Sequence, residues 1–192
     1  MATDFAFRKR AMKELPTSTG VYVLCDLDAV PIYVGQSKDG IRSRVSRHLT
    51  SARSDIIANR QIDVWEIAYV LAYPMTNVQD ITPTENRLYH HFNKKSKLMN
   101  GTVPPVPPKA PIPKPTVKVQ VMSDKEIAEK KTPEQRLPHQ ASHYAQIVGH
   151  FLAVKNSTQI AGAMDAHFQR LNKYHSLLVK SAVSYSDDSA ES

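Results

Sequence analysis

The sequence predicts an α+β fold: a small three-stranded antiparallel sheet flanked by helices, then a C-terminal helical hairpin. Three observations predict it. Two short alternating runs lie around Tyr22 and Tyr33, with a turn-forming segment between them. Apolar residues at helical spacing follow at 41–53 and again at about 82–95. A sharp composition break then sets these first hundred residues apart from two further apolar stripes.

The elements follow in chain order. Residues 4–14 read as a short amphipathic helix with Phe5, Met12 and Leu15 on its apolar side, stopped by Pro16. Val21 and Val23 flank Tyr22, and Ile32 and Val34 flank Tyr33. Period-2 alternation sends the aliphatics to one sheet face and both phenols to the other. Asp26 to Pro31 reads as the turn, punctuated by two aspartates and a proline. Ile41, Val45, Leu49 and Ala52 mark a helix over 41–53. Ile62 to Tyr73, rich in Val, Ile, Trp and Tyr, reads as a long third strand ended by Pro74. A third helix starts near Thr82-Pro83, with Leu88 and Phe92 on one face.

Seven of the thirteen prolines fall between Thr102 and Val121, so this stretch reads as a semi-rigid polyproline tether. Ser123 and Glu126 have the spacing of a capping box. Tyr144, Ile147, Val148, Phe151 and Leu152 form one helical stripe, and Ile160, Met164, Phe168, Leu171 and Leu178 another, joined at Asn156-Ser157. The predicted organisation is therefore a first domain over 1–101, a linker over 102–122, a helical region over 123–183 and a disordered acidic tail over 184–192. So small a helical hairpin needs a surface to dock on, either the first domain or a second copy of the chain.

Composition bounds the function. The formal net charge of +7 fits an anionic partner, nucleic acid first, although a surplus of solvated lysine gives the same total. Cys25 is the single cysteine, which excludes an internal disulfide framework and a multi-cysteine zinc site. No apolar run has the length of a membrane span, and Arg8-Lys9-Arg10 lacks the apolar segment of a secretory signal. The expected setting is cytoplasmic.

Candidate chemistry gathers near the hairpin. The helix over 41–53 carries Arg42, Arg44, Arg47 and His48, with Arg44 and His48 four apart on one edge. A guanidinium beside two phenols suits a phosphodiester, since its paired donors match phosphate geometry; a solvated basic helix face accounts for the same residues. Glu85 completes a Thr82-to-Glu85 capping box, yet it also shares the inner face of Leu88 and Phe92, where a carboxylate would suit Mg²⁺. Asn100-Gly101 reads as a turn, or as an amide ordering a site.

Taken in order, these residues resemble the GIY-YIG nuclease superfamily over residues 18–101. Gly20-Val21-Tyr22 and Tyr33-Val34-Gly35 match its two signature tripeptides, with valine in place of isoleucine. Arg44 and His48 match its Arg-x-x-x-His, Glu85 its metal-binding glutamate and Asn100 its closing asparagine. One extra residue, Gly40, precedes the helix, so Arg44 rather than Arg42 is aligned through Ile41 and Val45. The resemblance implies hydrolysis of a phosphodiester bond in DNA, double-stranded by expectation, by a metal-dependent endonuclease. In it Tyr22 is the general base, Glu85 holds Mg²⁺ or Mn²⁺, and Arg44 neutralises the phosphate. Tyr33 and His48 assist and Asn100 braces, while Gly35, Lys38, Arg42 and Arg47 lie against DNA. The C-terminal helices would bind target or form a homodimer. The alternative is a non-cleaving DNA-binding or regulatory protein that retains the fold.

Overall fold

The computed structural model describes residues 4–50, 60–154 and 157–188, with side chains described as far as residue 180. The elements are α1 (Phe5–Ala11), β1 (Gly20–Cys25), β2 (Pro31–Ser37), α2 (Ile41–Thr50), β3 (Tyr69–Pro74), α3 (Ile81–Asn93), β4 (Val117–Gln120), α4 (Asp124–Lys131), α5 (Pro133–Ala153) and α6 (Thr158–Asp188). The predicted end of the second helix over 51–53, the joint at Asn156 and the tail beyond 188 lie outside the described residues.

The α+β class holds, with four strands rather than three. Their order is β2-β1-β3-β4, and every neighbouring pair is antiparallel. The extra strand emerges from the end of the proline stretch. Pro115 is the last proline, and Val117-Lys118-Val119-Gln120 can then donate to a ladder. β4 joins at the sheet edge, pairing Val70 with Val119. The predicted linker is thus structured at its C-terminal end.

The third strand is shorter than predicted. Asp63 caps a single 3₁₀ turn at Val64–Glu66, accepting from the Trp65 amide at 3.0 Å, so the extended ladder begins only at Tyr69. This local side-chain bond offers the backbone an alternative to the sheet. The third helix also differs at its start. Its N-cap is Asp80, with no side-chain cap bond, so Thr82 to Glu85 is not the cap.

Alternation along β1 divides the core as predicted. Val21, Val23 and Cys25 pack with Ile81, Leu88 and Tyr89 of α3, while Tyr22 and Leu24 face α1, α2 and the C-terminal helices. Ile32 departs from the prediction. A register irregularity opposite Leu24 and Cys25 turns it to the tyrosine side, whereas Val34 keeps the other face. Phe5 also departs: it is exposed, and Arg8 is buried in its place, donating to the Val121 carbonyl at 3.3 Å.

The C-terminal helices join this core. Ile147, Ile160, Ala163 and Ala166 are buried with Ile32 and Met99, the small alanines letting α6 approach closely. Phe168 and Leu152 of the predicted stripes stay exposed. Charge adds a second anchor. Arg136 of α5 makes a two-pronged bond to Glu66 at 3.0–3.1 Å and reaches Asp28 at 2.6 Å. Arg170 of α6 pairs with Asp26 and, at 3.0 Å, with Glu66. Asp26 meanwhile shapes the hairpin turn, accepting from the amides of Asp28 and Val30 at 2.8 Å. The two turn aspartates therefore do more than turn the chain. α6 runs on to Asp188, past Ser184 where the tail was expected to begin.

Candidate active site

Tyr22 sits in mid-strand on β1, opposite Gly35 of β2. The absence of a side chain at Gly35 is what admits the ring: a Cβ there would meet the Tyr22 hydroxyl at 2.5 Å and Tyr33 Cε1 at 2.8 Å. Gly20, at φ +149°, has its own reason. A Cβ at that position would stand 2.2 Å from the Tyr73 carbonyl of β3. Gly20 and Gly35 thus both answer to close packing within the protein.

From α2, His48 turns inward with the aliphatic stripe and is 1 % exposed, as is Tyr22. Its Nε2 lies 2.6 Å from the Tyr22 hydroxyl. The Tyr33 ring completes a triangle, with centroids 6.3 Å from Tyr22 and 6.2 Å from His48. Arg44, one turn earlier on α2, hydrogen-bonds the Tyr22 phenol. Burial raises the Tyr22 pKa well above its ordinary value, and Tyr33 and Glu85 push the same way; Arg44 opposes them by charge and hydrogen bond. The phenol therefore rests protonated. We assign its O–H as donor to an unprotonated His48 Nε2, with Arg44 donating to the phenol oxygen.

Glu85 comes from the first turns of α3, on the other layer. Thr82 Oγ1 lies 3.3 Å from Gln36 Oε1, tying the start of α3 to the residue after Gly35. Half-buried, the Glu85 carboxylate makes no hydrogen bond or ion pair among the described residues, and burial pushes its pKa up to about 7. Among the described residues no group of three or more His, Cys, Asp or Glu side chains is arranged to hold a metal ion. Any cation here would take one protein carboxylate and complete its shell with phosphate and water oxygens, a common way of binding Mg²⁺. A desolvated carboxylate with no cationic partner among the described residues fits that group.

The other predicted residues divide. Asn100 braces the open edge of β2: its Oδ1 accepts from the Val34 amide at 3.1 Å and its Nδ2 donates to the Val34 carbonyl at 2.7 Å. Met99 continues the mimicry, donating its amide to Ile32 at 2.8 Å. Arg42 is turned away, its guanidinium bonded to the carbonyls of Leu15 and Lys13. Lys38 and Arg47 are exposed. Gln36, which sequence reasoning missed, carries no local signal beyond following Gly35.

Compared with known proteins, the chain matches no family model and no curated protein sequence.

Proposed function

We propose that the chain is a divalent-metal-dependent endonuclease that hydrolyses DNA phosphodiester bonds through a GIY-YIG-like module. One observation carries the reading: the Tyr22 phenol is held between Arg44 and His48, with Glu85 near enough to act on its pKa. Tyr22 takes a proton from the attacking water as its own passes to His48 Nε2, so no free phenolate is required at its raised pKa. Arg44 neutralises the charge that develops on the phosphate, and Tyr33 orients it. Glu85 would hold Mg²⁺ or Mn²⁺, which supplies polarisation of the phosphoryl oxygen and stabilises the leaving oxygen. Asn100 keeps β2, and with it Tyr33 and Gly35, in register. Arg47 and Lys38, both exposed, would meet the duplex backbone.

One set of these residues per chain cuts one strand, so a duplex break draws on a homodimer. The exposed Phe168 and Leu177 of α6 offer that contact.

A second reading, a non-cleaving DNA-binding or regulatory protein, draws on the burial of Tyr22 at 1 % exposure. Plasmid nicking with Mg²⁺ separates the two. Cleavage by the wild type and none by Glu85→Ala is expected; equal behaviour of the pair removes the enzyme reading.

A further inference from the structure

The largest groove among those described lies away from the tyrosines. It spans about 930 Å³ where the β1–β2 turn at Ala29–Pro31, the C-terminal end of α3 and the middle of α6 converge. Lys94, Lys95, Lys97, Arg170 and Lys173 line it, and no carboxylate does among the described residues. Two of these cations are committed. Arg170 is bound to Asp26 and Glu66, and Lys97 pairs with Asp165. The Lys94 and Lys95 side chains are exposed and their ammonium groups make no hydrogen bond or ion pair among the described residues; Lys173 stands 5.3 Å above the Tyr174 ring.

Three solvated cations facing one concave surface without a compensating acid create a positive potential that attracts a polyanion. The field of Lys94 and Lys95 reaches His91, whose protonation is disfavoured first by burial and then by Lys95 and Lys94. The position is equally telling. The groove wall at Pro31 is two residues from Tyr33, and Glu85 lies nine residues back along α3 from Lys94. That is roughly 14 Å along the helix axis, less than half of a ~34 Å duplex turn.

We infer that this groove is a second seat for the DNA phosphodiester backbone, flanking the catalytic residues, with Lys94, Lys95 and Lys173 as its phosphate contacts. The identity of the polyanion as DNA rests on the reading above. The docking of α6 then has a purpose beyond covering the core, because it supplies one wall of the groove. Such contacts are to phosphate alone, so they hold the duplex without reading its sequence.

The test is binding in EDTA, where no cutting occurs, by fluorescence anisotropy of a labelled two-turn duplex over a salt series. Lys94→Glu/Lys95→Glu/Lys173→Glu is compared with Lys109→Glu/Lys114→Glu/Lys125→Glu, which makes the same charge change at exposed positions elsewhere. All six are surface residues, and circular dichroism checks the fold. The groove variant is expected to lose about tenfold or more in affinity and to lower the salt slope by about 3, near 0.9 per lost phosphate contact, while the control changes far less. Equal behaviour of the two variants overturns the inference. So does binding of a polyglutamate peptide, abolished by the groove substitutions, in place of duplex. If the wild type fails to nick with Mg²⁺ but the groove variant still loses duplex binding, the groove stands and the endonuclease reading falls.

Discussion

The Tyr22 hydroxyl and His48 Nε2 lie 2.6 Å apart between two side chains that are each 1 % exposed. A hydrogen bond so desolvated is stronger than one in water, and leaving either partner alone is correspondingly costly. Tyr22→Phe removes only the hydroxyl, so it isolates that oxygen. Cleavage is expected to fall by about 10²–10⁴, the usual worth of positioned proton transfer, while stability falls by only about 1–3 kcal/mol for the orphaned nitrogen. Nicking rates and urea melts of one preparation check both numbers.

Glu85 gives a pH signature. Its carboxyl titrates at about 7 in the folded chain, above its ordinary value of 4.5. From about pH 4.5 to 7 the folded state holds the proton more tightly than the unfolded, so stability declines as pH rises through that window. Glu85→Gln is expected to flatten the decline, melting above the wild type at pH 8 and level with it below pH 4.5. Mn²⁺ should raise the wild-type melting temperature more at pH 8 than at pH 5.5, since the ligand must be ionised, and leave the variant unmoved.

Arg42 and Arg44 are two residues apart and separate in consequence. Arg42 secures the Leu15 and Lys13 carbonyls, so Arg42→Ala is expected to cost about 1–2 kcal/mol of stability and little rate. Arg44 bonds the phenol, so Arg44→Ala is expected to cost about 10²–10³ in rate with a small change in stability. The reverse pattern would show that the helix register places the wrong arginine at the phosphate.

What was legible in the sequence was what local periodicity encodes. Alternation put Tyr22 and Tyr33 on one face, and 3,4-spacing put Arg44 and His48 beside the apolar stripe of α2. Alignment through Ile41 and Val45 already favoured Arg44 over Arg42; that Arg42 bonds the carbonyls of Leu15 and Lys13 is something no spacing reveals. Ile32 was misplaced because a bulge is a defect in the very alternation being read. β4 was hidden by the prolines preceding it. Asp26 and Asp28 were read as turn formers, correctly but incompletely: their partners Arg136 and Arg170 lie more than a hundred residues away.

Those partners carry a prediction about the C-terminal helices. Asp26 is fully buried and Glu66 nearly so, and Arg170 touches both. Arg170→Ala leaves two carboxylates with less compensation in a dry interior, at an expected cost of about 3–5 kcal/mol. Because α6 shares one core with the sheet, the loss should appear as a lower midpoint of a single cooperative urea transition. Two separate transitions would mean that the helices melt independently of the sheet.

Gly35→Ala tests whether the phenol geometry, rather than the presence of its groups, is what function needs. The added methyl would occupy the space 2.5 Å from the Tyr22 hydroxyl, closer than any real contact, so the ring must move. Backbone strain is not involved, since Gly35 lies within a regular pair of β2 with β1. Its cost is therefore one of overpacking, about 1–3 kcal/mol. Displacing the hydroxyl from His48 and Arg44 removes the proton path while keeping every catalytic group in the chain. Cleavage is expected to fall nearly as far as in Tyr22→Phe, and combining the two substitutions should cost little further rate, because both act on one hydrogen bond. Full additivity of the two would place the role of Gly35 in substrate approach instead.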